Sequence, residues 1–174
     1  MNTPTQPTTR GEAPSRVVHT TIDIAAPPER VFEALTDARE LGTWWGGDDA
    51  RVLESDADPR PGGEWHVRTI DADGAERTFG GEYRIVDPPH RLEQTWRATE
   101  DGDASTVRYD LETVDVGGET GTRLTVTHTA ICEMSMSALA SHVSEARRAL
   151  MPYLLHPAWF STPHRVAWAR RSLR

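Results

Sequence analysis

The middle of the chain is dominated by segments in which apolar and charged side chains alternate, separated by short polar turns. Segment 91–98 (RLEQTWRA) alternates in this way, and the same period of two recurs over 105–114 and 121–130. This period is typical of a strand with one covered face, and short turns between such strands favour antiparallel pairing. The pattern therefore predicts an antiparallel sheet with one apolar face and one charged face.

Further strands are predicted by runs of β-branched and aromatic residues between turn-forming residues. They cover residues 17–24, 52–54, 61–70 and 77–86, which gives a sheet of about six or seven strands. The Asp73-Gly74 pair between two of them is typical of a hairpin turn.

Helices are predicted at two places. Two short helices follow the first strand: one begins at residues 26–29 (APPE), and the other covers 37–41 and ends at Gly42. Near the C-terminus, apolar residues recur at spacings of three and four from Met136 to Leu154, which predicts one long helix. The expected fold is α+β, a curved antiparallel sheet wrapped around this long C-terminal helix.

Composition excludes several classes of function. A net charge of -8 argues against nucleic-acid binding, which needs a basic surface. The chain has no lysine to form a Schiff base and a single cysteine, Cys132, which rules out an internal disulfide and a multi-cysteine zinc site. The histidines follow no metal-ligand spacing, and we expect neither a metal nor a cofactor.

The two ends of the chain differ in composition from its middle. Residues 1–15 carry almost no apolar side chains and are predicted to be a disordered tail, without the apolar core of a secretory signal. No run approaches the roughly 20 apolar residues that span a bilayer. A cytoplasmic protein is expected, with a main domain over 16–155 and an extension over 156–174 that carries Trp159 and Trp168.

Four stretches of the sequence together are characteristic of a known superfamily. They are IDIAAPPERVFEALTDARELGTWW (22–45), PGGEWHV (61–67), GGEYRIVDPPHRLEQTW (80–96) and TRLTVTHT (122–129). Through them the chain resembles the SRPBCC superfamily of START-like, helix-grip domains. It is most similar there to the family named after the activator of the ATPase of the ninety-kilodalton heat-shock chaperone. The resemblance implies a cavity between sheet and long helix that takes small apolar ligands. Since stretch 134–146 lacks the usual Gly-Trp pair, no ligand contacts are carried over from that end.

Residues on the face predicted to be interior are the candidates for ligand contact. They are Trp45, Trp65, Phe79, Tyr83, Gln94, Trp96, Tyr109, His128, Leu139, His142 and Val143. The polar members either orient a ligand's carbonyl or hydroxyl group, or bond a neighbouring residue or a trapped water. His128 has the chemistry of a general acid or base, but no motif places a nucleophile or carboxylate beside it.

The stretch LGTWWGG (41–47) contains two adjacent tryptophans. If it is an extended turn, neighbouring side chains point to opposite sides. Trp45 is then predicted to enter the interior, while Trp44 covers the outer helix. Core packing of both rings is the alternative.

Three functions remain open from the sequence. The first is non-catalytic or regulatory binding of a small apolar or aromatic ligand. The second is a protein-interaction module, with a chaperone, regulatory partner or second copy as its partner; Trp159 and Trp168 motivate it. The third is a polyketide cyclase- or aromatase-like enzyme, which is weakened by the missing acid–base constellation.

Overall fold

The computed structural model of the chain describes residues 16–45, 50–98 and 104–130, which form seven strands and two helices. The strands are β1 (Arg16–Ile24), β2 (Ala50–Ala57), β3 (Glu64–Asp71), β4 (Glu76–Asp87), β5 (Arg91–Ala98), β6 (Ser105–Val116) and β7 (Glu119–Ala130). The helices α1 (Pro28–Thr36) and α2 (Ala38–Trp44) lie between β1 and β2.

Some predictions fall on parts of the chain that the structure does not describe. These are the N-terminal tail, the extension over 156–174, and the long C-terminal helix with its candidates Leu139, His142 and Val143.

All seven strands belong to one curved antiparallel sheet in the order β1-β7-β6-β5-β4-β3-β2. From β2 to β7 the order in space follows the order in sequence, as short turns require. The strand β1 instead pairs with β7, with Arg16 opposite Ala130, because two helices intervene before β2 begins at the other edge. The α+β class and the predicted number of strands are confirmed.

The inner face of the sheet is the apolar one that the alternation predicts. Its buried side chains in the last three strands are Leu92, Gln94, Trp96, Ser105, Val107, Tyr109, Leu111, Thr122, Leu124, Val126 and His128. Thr95 is an exception, since it is buried although its position in the alternation assigned it to the charged face.

Asp37 joins the two helices. Its backbone N–H donates to the Glu33 carbonyl oxygen at 2.8 Å and ends α1, while its carboxylate accepts from the backbone N–H groups of Arg39 and Glu40 and begins α2. An aspartate in this N-cap position satisfies N–H groups that have no partner within the helix. One residue therefore ends the first helix and begins the second.

The predicted end of the second helix at Gly42 is wrong, because α2 continues to Trp44. A Cβ atom at Gly42 would lie 2.9 Å from Ser55 Oγ on β2, and the same hydroxyl donates to the Ala38 carbonyl oxygen at 2.7 Å. The glycine thus permits close approach of helix and strand instead of ending the helix.

The bounds of β2 and β3 also differ from the prediction. The strand β2 covers Ala50–Ala57, longer than the 52–54 predicted, because its acidic residues obscure the apolar pattern on this exposed edge strand. The predicted strand over 61–70 begins only at Glu64, because Gly62 and Gly63 form a turn that is hydrogen-bonded to the backbone of Tyr83.

Candidate ligand-binding face of the sheet

Both tryptophans of the LGTWWGG stretch are buried. Trp44 is 5% exposed and Trp45 is 8% exposed, and their ring centroids lie 5.5 Å apart. Trp44 Nε1 donates to the Ala34 carbonyl oxygen of α1 at 2.9 Å. The prediction that only Trp45 enters the interior is therefore wrong. Because α2 extends to Trp44 and Trp45 is its C-cap residue, the pair does not form the predicted turn in which neighbouring side chains point to opposite sides.

A continuous row of aromatic rings crosses the inner face from α2 to β7. Trp45 lies 5.4 Å from Trp65 and 5.9 Å from Phe79, measured between ring centroids. Phe79 stacks on Trp96 at 5.5 Å, and Trp96 meets the edge of the His128 ring at 5.7 Å. Each such pair contributes about 0.5–1.5 kcal/mol beyond the apolar area it buries. The structure thus brings five of the predicted site residues together in one row, which we call the aromatic row.

Gly81 makes the position of Trp65 possible. Trp65 lies opposite Gly81 in the pairing of β3 with β4, and its Nε1 donates to the Thr95 carbonyl oxygen on β5 at 3.2 Å. A Cβ atom at Gly81 would collide with that same oxygen. Thr95 Oγ1 also accepts from the backbone N–H of Glu82 at 2.8 Å, which satisfies the hydroxyl of this buried residue. In the stretch GGEY (80–83), the glycine at position 81 therefore allows the backbone of β5 to approach β4 closely.

A narrow cleft lies beside the aromatic row. Its lining residues are Leu35, Leu41, Trp44, Trp45, Trp65, Tyr83, Gln94 and Tyr109. The space between these side chains is about 210 Å³, open solvent included, and leaves no room for a water molecule. Sequence reasoning missed Leu35, Leu41 and Trp44 as lining residues, although Leu35 follows Val31 at helical spacing, which signals an inward face of α1.

Two polar atoms in this cleft are buried without a hydrogen-bond partner among the residues that the structure describes. They are Tyr83 Oη and Gln94 Oε1, and the two side chains are 0% and 4% exposed. Burial raises the pKa of the Tyr83 hydroxyl, and Tyr109 and Asp58 add to that effect. Tyr83 therefore stays neutral and keeps a proton to donate.

His128 lies at the other end of the aromatic row, paired with Ser105. The His128 Nε2 atom is 2.6 Å from Ser105 Oγ, which is also 3.2 Å from the Trp96 carbonyl oxygen. Burial lowers the pKa of His128 from 6.5 to about 4, so the ring is neutral at neutral pH. An acid–base catalyst works best with a pKa near the working pH, so this environment argues against His128 in that role.

Two further properties of the described ranges bear on function. Nowhere in them do three or more His, Cys, Asp and Glu side chains group in a way that could hold a metal ion. Neither α1 nor α2 is long and apolar enough to cross a membrane.

Solved structures with the same fold come from several organisms. A crystal structure from Chromobacterium violaceum has a TM-score of 0.67 at 22% identity, covering 79% of this chain and 96% of that one. The solution structure of an AHSA1-like protein from Aeromonas hydrophila has a TM-score of 0.65 at 20% identity, covering 85% and 98%. The crystal structure of an HSP90 activator from Plasmodium falciparum has a TM-score of 0.56 at 23% identity, covering 77% and 90%.

Sequence comparison identifies the family. None of the curated proteins compared with the chain is significantly similar to it. The family model described as Activator of Hsp90 ATPase homolog 1-like protein matches residues 25–147 of the 174, from the end of β1 past the end of β7. The resemblance seen in the four sequence stretches is thereby confirmed, and the chain belongs to this family.

Proposed function

We propose that the protein binds a small apolar or aromatic molecule on the inner face of its sheet, in a non-catalytic or regulatory role. The observation that carries this proposal is the aromatic row beside a cleft with buried polar atoms that lack partners in the described ranges. Aromatic walls offer a ligand apolar contact and stacking, and a few polar atoms fix its orientation.

The cleft has to open before a ligand enters, since its side chains leave no room even for water. Trp45 is the side chain that we expect to move, because it contacts the rings of Trp44, Trp65 and Phe79 and lies at the C-terminal end of α2. A ligand ring that replaces part of these contacts recovers their stacking energy. Binding and a change in the environment of Trp45 should therefore occur together.

Naphthalene tests the proposal, followed by quenching of tryptophan fluorescence and by native mass spectrometry. We expect one-to-one binding and a higher unfolding temperature. The variant Trp45→Phe, which keeps an aromatic ring but shortens the wall, should weaken binding about tenfold, equivalent to about 1.4 kcal/mol. The control Ile85→Ala changes an exposed residue outside the cleft and should leave affinity unchanged. No binding and no thermal shift with the wild-type protein would refute the proposal.

A second candidate is regulation of a chaperone through direct contact. The family match and the structural likeness to an HSP90 activator support it. Titration calorimetry with purified Hsp90 tests it: we expect saturable binding that weakens when residues 156–174, with Trp159 and Trp168, are removed. Absence of binding by the full chain would count against this candidate and leaves the ligand proposal standing.

A further inference from the structure

Tyr83 and Gln94 occupy facing positions on neighbouring strands of the cleft. They are register partners in the pairing of β4 with β5, and both line the same narrow space. Tyr83 Oη and Gln94 Oε1 have no hydrogen-bond partner in the described part of the chain, although both side chains are more than nine-tenths buried. Leaving such atoms unpaired costs free energy, which a molecule that pairs both of them recovers.

The chemistry of the two atoms specifies what pairs them. A tyrosine hydroxyl can donate its proton, whereas an amide oxygen only accepts. A group that satisfies both the hydroxyl proton of Tyr83 and the amide oxygen of Gln94 accepts from the first and donates to the second. A hydroxyl does both, while a hydrocarbon does neither and an ether only accepts.

The lining of the cleft also limits the charge of its occupant. Among the residues that the structure describes, the eight that line the cleft carry no charged side chain. A carboxylate buried there would lose its hydration without gaining a counter-ion, which is strongly unfavourable.

We infer that the ligand of this face is a neutral aromatic molecule bearing a hydroxyl group, held between Tyr83 Oη and Gln94 Oε1. The inference rests on the proposed function and narrows it from apolar molecules in general to phenol-like ones. The aromatic row supplies the contact with the ring, and the Tyr83–Gln94 pair selects the hydroxyl.

Four probes that share one ring system test this inference: naphthalene, 2-naphthol, 2-methoxynaphthalene and 2-naphthoate. Their dissociation constants are measured with the wild-type protein by fluorescence quenching. We expect 2-naphthol to bind about tenfold more tightly than naphthalene and 2-methoxynaphthalene, the scale of one or two net hydrogen bonds. The anion 2-naphthoate should bind more weakly than all three.

Two variants test whether Tyr83 and Gln94 cause the preference for 2-naphthol. Tyr83→Phe removes only the hydroxyl, and Gln94→Met removes the amide oxygen while keeping a similar length. Either change should abolish the preference for 2-naphthol over 2-methoxynaphthalene. The control Asp110→Asn, which changes an ion pair with Arg91 outside the cleft, should retain the full preference.

The outcomes distinguish failure of the hydroxyl inference from failure of the proposed binding of apolar molecules. Equal affinity for naphthalene, 2-naphthol and 2-methoxynaphthalene, unaffected by either variant, would overturn the hydroxyl inference and leave apolar binding intact. Tighter binding of 2-methoxynaphthalene or 2-naphthoate than of 2-naphthol would also overturn it. Failure of all four probes to bind would refute the proposed function itself.

Discussion

On the outer face of the sheet, basic and acidic side chains of neighbouring strands form ion pairs. On the inner face, polar groups are shielded from water and need a hydrogen-bond partner among the few other buried polar groups. Arg91 Nε lies 2.6 Å from Asp110 Oδ1, and the Arg123 guanidinium donates two 2.8 Å hydrogen bonds to Asp23. All four of these side chains are at least a quarter exposed.

Access to water explains the difference between the faces. An exposed ion pair replaces hydration that its charges would otherwise have, so it adds little stability. A buried polar atom has no such alternative, and leaving it unpaired costs about 1–3 kcal/mol. The outer face is therefore tolerant of change, while the inner face combines tight packing with polar groups that a ligand can pair.

The largest loss of stability is expected when a side chain is added at Gly81 on the inner face. Gly81→Ala places a methyl group against the Thr95 carbonyl oxygen and disturbs the hydrogen bond from Trp65. We expect the free energy of unfolding to fall by about 3 kcal/mol, at the upper end for overpacking. Urea denaturation monitored by tryptophan fluorescence measures it.

Gly74 provides the control for that experiment. It lies in the turn between β3 and β4 at φ 86°, with open space around its Cβ position. Gly74→Asn places a residue that tolerates this conformation there, and we expect a loss of no more than about 1 kcal/mol. Equal losses at the two glycines would contradict the packing role of Gly81.

Acid should weaken the protein through His128. The folded-state pKa of about 4 lies below the ordinary value of 6.5, so the unfolded chain binds a proton first as pH falls. The contribution of neutral His128 to the free energy of unfolding is fully present above pH 6.5. It declines as the pH falls below 6.5 and is lost by about pH 4. It amounts to about 3 kcal/mol over this window.

Comparison with His128→Gln isolates this effect, because both proteins share the same carboxylates. Stability measured from pH 7 to pH 4 should fall more steeply for the wild-type protein than for the variant. Parallel curves would show that burial does not hold His128 in its neutral form.

Removing an unpaired polar atom from the inner face should not harm stability. Tyr83→Phe should leave the free energy of unfolding unchanged or raise it by up to about 1 kcal/mol, because the buried hydroxyl has no partner in the described residues. Trp65→Phe, which removes a donor that does have a partner, should lower it by about 2 kcal/mol. A large loss for Tyr83→Phe would indicate that its hydroxyl is paired.

The smallest effect is expected on the outer face. Arg123 holds the pKa of Asp23 below its ordinary value through a hydrogen bond at the exposed carboxylate. Asp23→Asn should change thermal stability only slightly at low salt and not measurably at high salt, where exposed charges are screened. A large loss of thermal stability that does not depend on salt would contradict the proposed difference in tolerance between the outer and inner faces.

Local sequence patterns were sufficient for most of the fold. The alternation over 91–98 predicted strand β5 with the bounds that the structure has, and the Asp73-Gly74 pair predicted the turn before β4. These features could be predicted because a period of two and a turn residue act through neighbours along the chain. The edge strand β2 was underestimated, because acidic side chains on an exposed edge leave only a weak apolar pattern.

The candidate site was predictable only in part. The inward positions of Gln94, Tyr109 and His128 follow from parity, and the structure confirms that they are buried. The lining by Trp44 was not predicted, because the sequence pattern places the end of α2 at Gly42, whereas this glycine allows the helix to approach Ser55, a residue distant in sequence.

The sequence by itself determined the strand order along the chain, the charged and apolar faces, and the family. Only the tertiary structure decided which polar groups find partners. It paired Ser105 with His128 and left Tyr83 Oη and Gln94 Oε1 without partners in the described part of the chain. The physical reason is that alternation sets the side to which a side chain points, whereas a hydrogen bond depends on distances between strands that no local pattern encodes.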